Sequence, residues 1–276
     1  MTPAGRKAAE ALRPWIAAWR LVPDGEAFDS RFGNHLAPVL ADGEPAMLKV
    51  AVGEEERRGA ALMTWYAGEG AARVLAHEGE AILLERATGA RSLAQLAADG
   101  DDDEASRILC ATLARLHAPR AAPPPDTLVP LPTWFAALAP AAAAHGEVFT
   151  GSLAAADRLL AEPCEPAVLH GDMHHDNVLD GGDRGWLAID PKGLIGERGF
   201  DYANLFRNPT AEIALVPGRM RRQVKVVSSA ASLDPARLLT WIQAYAGLGA
   251  AWSLQSGHDP GPGLAIAARA AAELAA

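Results

Sequence analysis

"VLHGDMHHDNVL", residues 168–179, runs from a short apolar stretch into eight positions that hold three histidines, two aspartates and an asparagine. The apolar residues read as a strand and "GDMHHD" as the loop that leaves it. Downstream, "NVLD" and "WLAID" read as strands joined by the glycine-rich turn "GGDRG". A hairpin folded at residues 183–184 sets Asn177 opposite Asp190, and directly opposed residues of an antiparallel pair lie about 5 Å apart. An amide oxygen beside a carboxylate is the hard-oxygen pair that magnesium takes, with positions left for water and phosphate oxygens. Asp172 stands five residues before Asn177 at the mouth of the loop. There it is placed to accept a hydroxyl proton beside a metal-bound phosphate.

The spacing H-x-D-x-x-x-x-N followed by a metal-binding aspartate is that of a protein-kinase catalytic loop. Gly171 takes the place of the arginine that would meet an activation-loop phosphate, and Pro191-Lys192 follow Asp190 in place of Phe-Gly. Regulation by that phosphate, or by a swinging Asp190, is therefore not expected. A competing reading makes His170, His174 and His175 the three ligands of a catalytic zinc. It leaves Asn177 and Asp190 without a task and lacks a spacing such as H-E-x-x-H. His170 is instead expected to prop the loop through backbone hydrogen bonds. His174 and His175 are left as loop contacts or neighbours of the substrate.

Phosphate chemistry also needs a cation and an acid to hold it. "PAMLKVAV", 45–52, puts Lys49 on a strand, sharing a face with Met47 while Ala46, Leu48 and Val50 take the other. Glu56 opens the helix that follows, with Glu55 the alternative by one position. "RFGNH", 31–35, is the expected phosphate-covering turn, with Gly33 and Asn34 at its tip, although it lacks G-x-G-x-x-G. "ADGEP" and "HEGE" mark two further hairpins, and "LLERA", 83–87, is the expected hinge, offering adenine the backbone of Glu85 and Ala87.

These readings give an α+β, bilobal protein-kinase-like fold. Residues 1–88 form a small, mostly β nucleotide lobe, led by a helix that buries Leu12, Trp15, Ile16 and Trp19. Residues 89–276 form a larger, mostly α lobe for catalysis and substrate, with helices expected near 133–145, 150–161, 200–207, 217–229, 234–246 and 261–275. The acidic run Asp101–Glu104 reads as a helix start that complements the dipole, and "RMRRQVK", 219–225, as a solvated helix face.

Net charge is −9, with no basic stripe, so nucleic acid is not an expected partner and a cationic small molecule suits the surface. No apolar run approaches the roughly 20 residues of a membrane span. Cys110 and Cys164 form no CxxC pair and read as reduced thiols of a cytoplasmic protein.

The segment "VLHGDMHHDNVL…GWLAIDPKGLIGERGFDYANLFRNP" resembles the aminoglycoside/hydroxyurea antibiotic-resistance kinases, in the branch that contains streptomycin 6-phosphotransferases. The resemblance implies transfer of the γ-phosphate of ATP, with Mg2+, to a hydroxyl of a small molecule such as streptomycin. It implies Asp172 as catalytic base, Asn177 and Asp190 as metal ligands, Lys49 and Glu56 as the nucleotide pair, and Asp201 of "GFDYAN" as a brace for the loop. Glu197, Asp176 and Asp259 are acids available to a guanidinium or ammonium group, and Lys192 and Arg198 are cations near the phosphate. The alternatives are a nucleotide-binding pseudokinase without turnover and a kinase of a non-antibiotic metabolite; the intact Lys49, Asp172, Asn177 and Asp190 set speaks for turnover.

Overall fold

The computed structural model describes residues 3–30 and 33–276. Met1, Thr2 and the first two residues of the expected phosphate-covering turn, Arg31 and Phe32, lie outside them. The smaller lobe is a six-stranded antiparallel sheet with two helices. Its strands are β1 (Val22–Pro23), β2 (Phe28–Asp29), β3 (His35–Ala41), β4 (Glu44–Val50), β5 (Val74–Glu78) and β6 (Ala81–Glu85), ordered β1-β3-β4-β6-β5 with β2 beside β3. The β3–β4 turn has Asp42 at φ 50° and Gly43 at φ 87°, the left-handed pair that a two-residue hairpin loop requires. Along β4, Ala46, Leu48 and Val50 are buried while Met47 and Lys49 take the other face. The buried face packs under α1 (Pro3–Ala18), whose Leu12 is fully enclosed.

Helix α2 (Glu54–Tyr66) opens on three glutamates, which its dipole favours, and ends at Ala67 in the left-handed conformation. Its apolar side does not join the sheet core. Ala60, Leu62, Met63 and Tyr66 belong to the same cluster as the helices of the larger lobe and Ile82 of β6, whereas α1 and the rest of the sheet keep a separate small core. Further ties cross between the lobes. Ala72 N–H donates to Ala188 O at 3.0 Å and Ala188 N–H to Gly70 O at 2.9 Å, and Arg184 pairs with Glu85.

Gly59 of α2 faces the carbonyl of Pro191; a Cβ built there would lie 2.3 Å from that oxygen. In an ordinary helix interior Gly→Ala gains about 1 kcal/mol, but overpacking costs about 1–3 kcal/mol. Gly59→Ala is therefore expected to destabilise by a net of up to about 2 kcal/mol, read as a lower midpoint in urea. A midpoint that rises would show that α2 is not seated on Pro191.

The larger lobe contains α3 (Leu93–Ala98), α4 (Asp102–Leu116), β7 (Val129–Pro130), α5 (Leu131–Trp134), α6 (Leu138–His145), α7 (Glu147–Ala161), β8 (Pro166–Leu169), β9 (Val178–Asp180), β10 (Trp186–Ala188), β11 (Leu194–Glu197), α8 (Gly199–Ala203), α9 (Ala211–Ala214), α10 (Arg219–Ala231), α11 (Pro235–Gln255) and α12 (Gly261–Leu274). Helix α11 runs nine residues beyond its expected end at 246, because its Ala/Gly-rich stretch Ala244–Ala251 is buried all round and carries no amphipathic period. The acidic run opens α4 as expected, with Asp102, Asp103 and Glu104 in its first turn. Asp102 does more than complement the dipole: it is 3% exposed and accepts from Arg219 at 2.8 Å through both carboxylate oxygens. Arg219, the first residue of the supposedly solvated "RMRRQVK", is equally buried and joins α10 to α4.

Strand β9 pairs with β10, Ala188 opposite Val178 and Trp186 opposite Asp180. The connection is the five-residue segment 181–185, with a 3-10 turn at Gly182–Arg184. The expected register is thus corrected by one residue: Ile189, not Asp190, opposes Asn177, and its N–H donates to Asn177 O at 2.9 Å. Among the described residues no helix is long and apolar enough to cross a membrane.

Candidate active site

Strand β8 delivers the loop, and the loop is fastened from beneath. Asp201 on α8, 1% exposed, accepts the His170 N–H at 2.8 Å and the Gly171 N–H at 2.7 Å, and pairs with His117 Nε2 at 2.8 Å. Gly171 has φ 87°, which glycine adopts without penalty. His170 is buried, accepts the Asp172 N–H on Nδ1 and meets Ile189 O with Nε2 at 2.8 Å. Burial holds this ring below the ordinary histidine pKa against the pull of Asp201 and Asp172. With Nδ1 an acceptor, Nε2 carries the proton and donates.

The three histidines of the motif do not converge. His174 turns Nδ1 to the Asp176 N–H at 3.2 Å and sets Nε2 3.9 Å from Asp172. His175 is buried, with neither ring nitrogen hydrogen-bonded, and burial followed by Arg219 lowers its pKa to about 4. Among the described residues no group of three His, Cys, Asp or Glu side chains is arranged to hold a metal. The zinc arrangement is therefore not formed.

Asp172 presents its carboxylate at the loop mouth. Asn204 Nδ2 donates to Oδ1 at 3.0 Å, and Asn208 Nδ2 in turn donates to Asn204 O at 2.9 Å. The sequence reading missed Asn204, although "GFDYAN" carries a signal: three residues beyond Asp201, it lies on the same side of a helical turn. Asn177 donates through Nδ2 to Asp172 O at 2.9 Å, which leaves the amide oxygen as its acceptor for the cleft.

Asp190 follows the last paired residue of its hairpin and has φ 59°, a conformation that costs a non-glycine residue about 1 kcal/mol or more. This kink takes the place of the expected strand pairing in bringing Asp190 to Asn177. One carboxylate oxygen of Asp190 contacts Lys49, and Lys49 also pairs with Glu56. The other lies 3.6 Å from Lys192 Nζ. Desolvation raises the Asp190 pKa, but Lys49 and Lys192 outweigh it and hold the group below the usual carboxylate range. Burial likewise opposes the charge on Lys192, and Asp190, Asp172, Glu55 and Glu56 overcome it, so its pKa is raised.

Two cavities meet here. The first, about 480 Å³, is lined by Phe28, Met47, Lys49, Glu56, Met63 and Ala87 among others, Asn34 and Glu85 included. The second, about 1080 Å³, is lined by Glu55, Asp172, Asp176, Lys192, Tyr245 and Trp252 among others. Asn177 and Asp190 line both. Of the expected phosphate-covering turn, Asn34 is buried and its side-chain oxygen accepts the Val52 N–H at 2.8 Å, while Gly33 turns at φ 84°. The Glu85 N–H is already given to Arg73 O at 2.9 Å, so only its carbonyl is left for a ligand.

Three charged residues go elsewhere than expected. Glu197 is buried, held by Arg237, Trp241 Nε1 and the Cys164 N–H. Arg198 donates to Ala231 O and Ser232 O on the far side. Asp259 accepts the Gly261 N–H at the start of α12. None of the three lines either cavity.

A family model for aminoglycoside/hydroxyurea antibiotic resistance kinases matches residues 18–257. A streptomycin 3''-kinase of Klebsiella pneumoniae is 51% identical over 253 residues, spanning 90% of this chain and 94% of that protein. A streptomycin 6-kinase of Streptomyces griseus is 32% identical over 287 residues, spanning 91% and 88%. Among solved structures, the aminoglycoside phosphotransferase APH(3'')-Id from Streptomyces rimosus, in complex with ADP and streptomycin, shares the fold at a TM-score of 0.58 and 16% identity, covering 87% of this chain and 97% of that one. The kinase-like loop, the two lobes and these relatives agree: the chain belongs to the aminoglycoside/hydroxyurea antibiotic resistance kinase family and is a small-molecule phosphotransferase.

Proposed function

We propose that this enzyme transfers the γ-phosphate of ATP to a hydroxyl of streptomycin, and that the hydroxyl is the 3'' one. The observation that carries the reading is the shared wall: Asn177 and Asp190 line both cavities, with Lys49 and Glu56 in the first and Asp172 in the second. The first cavity then holds ATP. Residues 1–88 supply most of it, with Phe28, Met47 and Met63 against the base, the Glu85 carbonyl and Ala87 backbone at its edge, Gly33 and Asn34 above the phosphates, and Lys49, oriented by Glu56, on them. Residues 89–276 supply the loop and most of the acceptor cavity. There Glu55 and Asp176 offer carboxylates to a cationic acceptor.

Asn177 and Asp190 fit magnesium, since both present hard oxygens and Asp190 stays ionised. When bound, the ion supplies positive charge to the phosphate oxygens. Asp172, held by Asn204, orients the acceptor hydroxyl and takes its proton as the oxygen–phosphorus bond forms and the bond to the ADP oxygen breaks. Asp201 and His170 keep the loop in that pose.

The 3'' position follows the relative at 51% identity over the one at 32%. The expected result is streptomycin-dependent ADP release and a product whose phosphorus couples to the 3'' carbon in NMR. A folded protein that binds ATP but shows no streptomycin-dependent release would overturn the acceptor, and a phosphate on the 6 position would overturn the regiochemistry.

A further inference from the structure

Lys192 is a second buried cation beside Asp190. Its N–H donates to His170 O at 2.7 Å, and its Cβ packs where a side chain on Gly171 would collide. The backbone of Lys192 is thus locked to the loop that carries Asp172. Its buried ammonium lies 3.2 Å from Glu55, 3.6 Å from Glu56 and 3.6 Å from Asp190 Oδ2. Lys49 contacts the other oxygen of the same Asp190 carboxylate. The two lysines come from different lobes and line different cavities, Lys49 the first and Lys192 the second.

A phosphoryl group in transit carries its negative charge from the first cavity toward the second. Lys49 serves the side it leaves. A fixed cation on the side it enters stabilises the charge without reorganising.

We propose that Lys192 is a catalytic residue whose ammonium contacts the transferring phosphoryl group from the acceptor side. This role rests on the phosphotransfer reading and is independent of which hydroxyl is phosphorylated. As the acceptor oxygen bonds to phosphorus and the bond to ADP breaks, the hydroxyl proton passes to Asp172; Lys192 neither gives nor takes a proton. The competing role is structural: Lys192 would only balance the charge of Glu55, Glu56 and Asp190.

The two roles separate in binding of ADP to the full chain with magnesium, measured by calorimetry with and without tetrafluoroaluminate, a mimic of the phosphoryl group in transit. Wild type is expected to bind ADP more tightly with tetrafluoroaluminate. In Lys192→Met that gain falls by about 10²-fold, while affinity for ADP alone stays within about threefold. Lys192→Arg keeps part of the gain. Removing one neighbouring acid does not restore it, so Glu55→Gln with Lys192→Met behaves like Lys192→Met. An equal gain in Lys192→Met, recovery in the double variant, or no gain in wild type overturns the proposal. Streptomycin is absent from the measurement, so a wrong acceptor leaves the outcome unchanged.

Discussion

Asp172→Asn is expected to lower kcat by about 10²–10⁴-fold, the range for loss of a positioned general base. The substitution changes chemistry with little change of shape. An asparagine oxygen at this position still accepts from Asn204, and the Asp172 carbonyl still accepts from Asn177. Asp172 lines the second cavity and not the first, so KM for ATP should move by no more than about threefold. The pattern of a fallen kcat with an unmoved KM is that of an interaction made in the transition state alone. Initial rates of ADP release across ATP concentrations test it. A variant that turns over at close to the wild-type rate would remove Asp172 from the chemistry.

The second large effect is on stability. Asp201→Ala strips partners from the His170 and Gly171 N–H groups and from His117 in a single step. These groups are buried, so water does not replace the lost acceptor, and each donor left unsatisfied costs about 1–3 kcal/mol. In urea the midpoint should fall at constant slope. Activity should fall as well, because the two freed amides belong to the loop that presents Asp172. A midpoint loss worth less than about 1 kcal/mol, the value of one ordinary hydrogen bond, would show that the loop holds itself.

The loop motif, the strand lysine and the helix glutamate were legible in the sequence because each depends on local spacing. The structure brings Lys49, Glu56, Asn177, Asp190 and Asp172 around one junction, as their order along the chain suggested. What sequence did not disclose depends on backbone conformation or on distant partners. The "GGDRG" turn consumed five residues and shifted the register, and the kink at Asp190 compensated in a way that no propensity signals. Asp102 and Arg219 lie 117 positions apart; each alone looks like an ordinary helix charge. Glu197 and Arg198 sit near Asp190 in sequence, yet β11 leads them away from both cavities. Lys192, five residues before Glu197, stays, because its N–H is tied to His170.

The division of the apolar core has a mechanical meaning. Most of the sheet's buried face packs with α1 alone, and α2 is anchored in the helical body together with Ile82 of β6. What can tilt is therefore the outer part of the sheet, β1 to β4 with α1, about β6, which Ile82 and the Arg184–Glu85 pair hold to the body, with α2 as its fixed sill. Lys49 would travel with it and Glu56 would stay behind, so their contact is a seam between moving and stationary parts. A nucleotide that pries the sheet upward would part these two side chains, and one that seats fully would let them touch. The distance between them is thus a gauge of how far the cleft has shut.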